Sequence, residues 1–162
     1  SMENGGGALW DIGPYAIHTL RQCFNQNPVR VKAIAKLNEH GADISTTGLI
    51  DFGNNKRATF DISFECTRRS EFEAFGPLGR VKCPTVWQPE DKQAKIIINT
   101  ESSGLTEEVI PPANHFILEI NHFNKVIGSN LPQKLTTEDA LWNVKTLESI
   151  QQSIQKDGWV NL

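Results

Sequence analysis

The sequence has no apolar stretch long enough to cross a bilayer, no block of basic residues and no closely spaced cysteine pair. Its longest apolar runs, such as Ile96-Ile97-Ile98, fall far short of the roughly 20 residues a membrane-spanning helix needs. No signal-peptide pattern precedes them, so a soluble protein with no membrane partner is expected. Lys and Arg total 16 against 19 Asp and Glu, a formal net charge of -3. The basic residues are scattered apart from short clusters such as Arg68-Arg69, which leaves no electrostatic footprint for nucleic acid. Cys23, Cys66 and Cys83 are odd in number and lack any C-x-x-C spacing. That argues against a disulfide framework or a zinc site and points to a reducing, cytoplasmic compartment. Internal repeats, linkers, low-complexity tracts and a Walker A pattern are also missing.

What is present suffices for a core. The 162 residues, 38% of them apolar, are enough for one domain and too few for two ordinary ones. Ser1-Met2 reads as a remnant of recombinant expression, so the domain is expected over residues 3–162 and the sequence reads as a fragment of a longer chain. From Ala8 to Phe24, Leu9, Ile12, Ala16, Leu20 and Cys23 recur at helical spacing. After Pro28, Val29 to Leu37 alternates at period two. Ser45 to Phe52 and Lys56 to Cys66 read as further strands about a Gly53-Asn54-Asn55 turn. In the latter, Ala58, Phe60, Ile62, Phe64 and Cys66 face one side, and Thr59, Asp61, Ser63 and Glu65 the other.

Glu71 to Phe75, Gly79 to Cys83, Ala94 to Thr100 and Glu107 to Ile110 continue the strands, broken by Gly76-Pro77 and by a Pro84 to Pro89 loop. Beyond Pro111-Pro112 the period returns to helical: Phe116, Ile117, Ile120, Phe123 and Ile127 share a face and Gly128 stops it. A last helix opens at Thr136-Thr137-Glu138-Asp139, a capping-box-like start, and should turn Ala140, Val144, Leu147 and Ile154 inward. A helix, a block of strands and two helices predict an α+β domain: an open, mostly antiparallel sheet with helices on one face.

Near the N-terminus the stretch GGGALWDIGPYAIH, Gly5 to His18, carries the chemistry. A dinucleotide-binding loop needs G-x-G-x-x-G after a strand, with an acidic residue about 20 positions on. Here the glycines are consecutive and no strand precedes them, so that reading fails. Asp11, Tyr15 and His18, spaced i, i+4, i+7, project within roughly 60° of one another at 100° per residue. They make one polar stripe, with Pro14 expected to kink or restart the helix. From spacing alone the stripe reads first as a solvated face, with an acid/base cluster as the alternative. A tyrosine acting as a base near neutrality needs a neighbouring cation, and none lies within the stripe.

The stretch from Asn4 to Asn25 and the Pro28-Val29 entry to a strand resemble the opening of the C-terminal domain of the Gfo/Idh/MocA oxidoreductases. The pattern there is GGG-x-x-x-D-x-G-x-[H or Y]-x-x-[D or N]. Thr47-Gly-Leu-Ile-Asp-Phe52, Glu73-Ala-Phe-Gly76, Glu119 with Phe123, and Thr137-Glu-Asp-Ala140 follow in family order. The resemblance implies a substrate-binding domain normally preceded by a Rossmann domain that binds NAD or NADP, with no cofactor held by this chain alone. It implies a carbohydrate-like substrate, a sugar, polyol or related hydroxy compound, and a homo-oligomer formed through the open sheet face. By position Tyr15 would be the acid/base and Asp11 would orient the substrate hydroxyl. Tyrosine at this place is similar to the glucose-fructose oxidoreductase and dihydrodiol dehydrogenase branches. A lysine of an E-K-P segment in the Rossmann domain would supply the cation. His18 stands where the family has Asp or Asn. The alternative is a non-catalytic ligand-binding or dimerisation module of the same fold.

Four further residues are candidates or near-candidates. Trp87, in the proline-flanked loop, and His115, which with Asn114 opens a helix, are candidate substrate contacts, with a loop anchor and a helix cap as the alternatives. Glu119 and His122 have metal-ligand spacing on a helix but lack a third ligand, so no metal is expected.

Overall fold

The computed structural model describes residues 6–87, 93–129 and 131–162. Asn4 and Gly5 of the opening motif and Pro89 of the loop lie outside the described residues. The elements run α1 (Ala8–Asp11), α2 (Gly13–Phe24), β1 (Arg30–Leu37), β2 (Asp43–Gly53), β3 (Lys56–Ser63), β4 (Phe72–Gly76), β5 (Gly79–Cys83), β6 (Ala94–Thr100), β7 (Gly104–Ile110), α3 (His115–Ser129), α4 (Thr137–Lys156) and β8 (Val160–Asn161). The α+β class and the antiparallel pairing agree with the sequence. The single open sheet does not, because the strands form two four-stranded sheets, β3-β2-β1-β8 and β4-β5-β6-β7. They fall in two compact units, one comprising the chain to Cys66 with Leu135–Leu162, the other Thr67–Lys134.

The first unit holds the core. Val31 and Ala33 of β1, Ile50 and Phe52 of β2, and Phe60 and Ile62 of β3 are buried against Leu9 and Ile17 from α1 and α2 and Leu147 and Ile150 from α4. Alternation along β3 is as the sequence predicts, with Thr59 and Asp61 exposed and Phe60 and Ile62 buried. Phe64 and Cys66, beyond the end of β3, are exposed instead of continuing the inward face. Gly48 lies opposite Phe60 in the β2–β3 register. A Cβ there would sit 2.6 Å from the Phe60 ring Cζ, so glycine at this place lets the ring lie across the strand. Val31 pairs with Val160 of β8, which runs only to Asn161. One step on, the Ala33 amide donates to Ser153 Oγ at 3.0 Å, which in turn donates to the Gly158 carbonyl at 2.6 Å. A buried strand N–H beyond a short partner needs such a substitute acceptor.

Helix faces depart from the apolar pattern at several places. Cys23 is exposed, because Ile17 and Arg21 take the inward positions of α2. In α4, Ala140 and Val144 are exposed, while Thr146, Leu147, Ser149, Ile150 and Ser153 face in. Thr146 Oγ1 donates to the Trp142 carbonyl at 2.7 Å, so the hydroxyl enters the core already paired. Thr136 caps α4 as expected, its Oγ1 accepting from the Asp139 amide.

In the second unit, β7 begins three residues earlier than the sequence predicts. Helix α3 forms with the predicted apolar stripe, yet Phe116, Ile117, Ile120, Phe123 and Ile127 are each more than half exposed. Periodicity sets which side a helix would bury and does not supply the partner that buries it.

Candidate functional site

The glycine lead-in is built for close approach. Gly7 is buried, and a Cβ on it would collide with the carbonyl and carboxylate oxygens of Asp43 and stand 2.7 Å from its amide nitrogen. Asp43 Oδ2 accepts from the Leu9 amide and from Thr46 Oγ1, both at 2.8 Å. Its carboxylate thus closes the start of α1 and ties it to β2.

Four residues later the helix breaks. Pro14 has no N–H to return to Trp10, so α1 ends at Asp11 and α2 restarts at Gly13 with Pro14 in its first turn, the restart predicted from the sequence. Asp11 ends the first helix and Tyr15 stands in the first turn of the second. Both are exposed, Tyr15 to 55%. Among the described residues no side chain bonds the Tyr15 hydroxyl or the Asp11 carboxylate, and both face solvent. The backbone around them is secured: the Tyr15 amide donates to the Ile12 carbonyl at 3.2 Å and its own carbonyl accepts from Thr19 Oγ1 at 2.9 Å.

His18 is engaged by the protein. Its Nδ1 lies 3.3 Å from Asp139 Oδ2, with about a third of the imidazole exposed. Asp139 also takes Arg21, whose Nη1 lies 3.1 Å from Oδ1 and donates to the Asp139 carbonyl at 2.9 Å, and accepts from Gln22 Nε2 at 3.1 Å. Arg21 is 5% exposed, and its Nε and Nη2 donate to Asn27 Oδ1 at 3.1 and 2.9 Å. A buried guanidinium is tolerated only when its charge and donors are met in this way. Arg21, Asp139 and Asn143 were not singled out by sequence reasoning. Asp139 and Asn143 meet the opening helices across more than a hundred residues, a separation that local spacing does not report.

Trp87 and His115 belong to the second unit. The Trp87 amide donates to Ser70 Oγ and its carbonyl accepts from the same hydroxyl, both at 3.1 Å, which pins the loop and leaves the residue half-buried. Asn114 Oδ1 accepts from the Ile117 amide at 3.2 Å and so caps α3. His115 is exposed with its ring against Phe116, centroids 4.1 Å apart. Among the described residues no group of three or more His, Cys, Asp or Glu is placed to hold a metal.

The residues present do not fit a dinucleotide. Its pyrophosphate needs free amides at a helix N-terminus after a strand, whereas the glycine-led helix start here is filled by the Asp43 carboxylate, which would repel a phosphate. Among the described residues every strand pairing is antiparallel.

The sequence profile described as the GFO/IDH/MocA C-terminal domain matches residues 1–82. This chain belongs to that family. Across GFO/IDH/MocA relatives, an uncharacterised oxidoreductase of Rhizobium meliloti is 29% identical over 161 residues, 96% of this chain and 48% of the relative. A D-xylose 1-dehydrogenase (NADP(+)) of Haloferax volcanii is 20% identical over 158 residues, 97% of this chain and 48% of the relative. Among solved structures, an aldose-aldose oxidoreductase from Caulobacter crescentus complexed with glycerol superposes with a TM-score of 0.83 at 19% identity, over 98% of this chain and 48% of that one. That likeness shows the fold. The chain spans about half the length of the relatives it matches.

Proposed function

We propose that this chain is the substrate-binding half of an NAD(P)-dependent oxidoreductase acting on a sugar, polyol or related hydroxy compound. The observation that carries the reading is Tyr15, an exposed phenol on an otherwise anchored helix joint, one turn from the exposed carboxylate of Asp11. Asp11 binds or orients the substrate hydroxyl. Tyr15 exchanges the proton with the carbinol oxygen as hydride leaves or joins the carbon. The hydride partner and the lysine that makes a phenol an effective base near neutrality come from a Rossmann domain in the rest of the parent chain. The relatives' names, oxidoreductase and D-xylose 1-dehydrogenase (NADP(+)), support the reaction class and the cofactor. Trp87 and His115 are proposed as further substrate contacts, and His18 as a polar contact held by Asp139.

In the full-length parent, Tyr15→Phe is expected to lower kcat by about 10²–10⁴-fold, the usual contribution of a positioned acid/base, with NADP affinity unchanged by fluorescence titration. Turnover near wild type would sink the assignment. The outer face of β1–β3, with Lys32, Ile34, Thr47 and Thr59 exposed, is proposed as the homo-oligomer contact. A strict monomer of the parent in size-exclusion chromatography with light scattering would refute it. Three free cysteines, and no described helix long and apolar enough to cross a membrane, support a cytoplasmic location.

A further inference from the structure

One row of α4 side chains grips the segment that carries Asp11 and Tyr15. Asp139, Asn143, Leu147 and Gln151 recur every four residues and so follow one slowly winding stripe of the helix. Gln151 Oε1 accepts from Trp10 Nε1 at 3.1 Å, and Asn143 Nδ2 donates to the Pro14 carbonyl at 3.1 Å. Buried Leu147 lies against Gly13, its Cδ2 3.0 Å from where a Cβ would stand. Asp139 holds His18 and Arg21. The grips therefore bracket the break between α1 and α2 on both sides.

Asn143 is the grip nearest Tyr15 along the chain, because the carbonyl it holds belongs to the Pro14–Tyr15 peptide bond. Its Oδ1 is buried and has no hydrogen-bond partner among the described residues. An unpaired buried acceptor costs stability, and an apolar side chain of similar size would remove that cost. What only the amide provides is the N–H held on the Pro14 carbonyl. Reversing the amide would set Oδ1 against that carbonyl, two acceptors face to face, so the hydrogen bond itself fixes its orientation.

We propose that Asn143 is a positioning residue for the Tyr15 acid/base step, fixing the Pro14–Tyr15 peptide and with it the aim of the phenol. This rests on the role given to Tyr15 above. In the full-length parent, Asn143→Leu is expected to lower kcat about 10–100-fold, the scale on which small misplacements act. KM and NADP affinity should stay within about twofold and the melting temperature should not fall. In a Tyr15→Phe background the same substitution is expected to change kcat less than about twofold, since no phenol remains to be aimed. Equal losses in both backgrounds, or an unchanged kcat in the enzyme with Tyr15, overturns the positioning role. A Tyr15→Phe enzyme with wild-type turnover overturns instead the reading beneath it. Asn143→Ser serves the same cycle if the leucine variant does not fold.

A second readout is independent of activity. Tyr15 is the one tyrosine of the 162 residues, so this chain labelled with ¹³Cζ-tyrosine gives a single resonance. Asn143→Leu is expected to shift or broaden it, and Glu148→Ala, an exposed change on the same helix, is expected not to. A resonance unmoved by Asn143→Leu counts against the proposal.

Discussion

Replacing Gly7 by alanine tests whether the glycine run is a close-packed lead-in. The new Cβ would fall on the Asp43 carbonyl and carboxylate oxygens, with the Asp43 amide nitrogen 2.7 Å away. Two of those three atoms are backbone of β2, so no side-chain rotation clears the space. Overpacking of this kind costs about 1–3 kcal/mol. Moving the carboxylate also strains its bond to the Leu9 amide, and a hydrogen bond to a charged group is worth about 1.5–3 kcal/mol. The combined loss is about 2.5–6 kcal/mol, which at roughly 2–4 °C per kcal/mol for a chain of this size lowers the melting temperature by about 5–24 °C. The assay is thermal unfolding of the chain followed by circular dichroism. Gly158→Ala is the control: its nearest neighbour would be the Lys156 carbonyl oxygen at 3.7 Å, an ordinary contact, and its φ is not positive. It should stay within about 0.5 kcal/mol of wild type. A Gly7→Ala protein that melts with the control would refute the close approach.

Two other predictions concern the first sheet and its helix. Asp51 has its carboxyl held below its ordinary value near 3.8, first by the Gly53 amide and then by Arg30. A lowered folded pKa means that its contribution is present above about pH 4 and is lost as pH falls through the folded value. Asp51→Asn should therefore flatten the loss of stability below pH 4 in urea midpoints, and parallel losses in both proteins would refute this. Ser153→Ala leaves the Ala33 amide buried without an acceptor, at a cost of about 1–3 kcal/mol. Exchange of the Ala33 amide should speed up, and an unchanged rate would count against that pairing.

Much of the fold was legible because the deciding forces are local. Alternation in Lys56 to Ser63 marks which side of β3 meets the helices, and Pro14 breaks the first helix whatever surrounds it, since it has no N–H to give. The capping of α4 by Thr136 was likewise written in four consecutive residues. β8 was not legible: two residues carry no period, and Val160 is a strand because β1 offers it a partner. The division into two sheets was hidden for a similar reason. Each strand's own pattern says that it pairs, and only the set of partners says with which sheet.

Helix α4 shows where hydrophobic periodicity misleads and why the site was only half visible. Scoring apolar residues selects Ala140 and Val144, yet three of its five buried residues bear hydroxyls. Thr146 and Ser153 bond to backbone carbonyls on their own helix or the turn beyond it, and such side chains can enter a core without an unpaired polar group. The face that matters to Tyr15 is a stripe mixing one carboxylate, two amides and a leucine, which no single hydropathy period would pick out. Asp11 and Tyr15 are legible as a motif within one stretch of chain. What holds them is a set of contacts between residues 118 to 141 positions apart, fixed only when α4 packs beside α2. A substitution on α4 far from the motif in sequence is therefore expected to alter the motif's geometry before it alters the fold, and this separation is what the Asn143 and Tyr15 cycle measures.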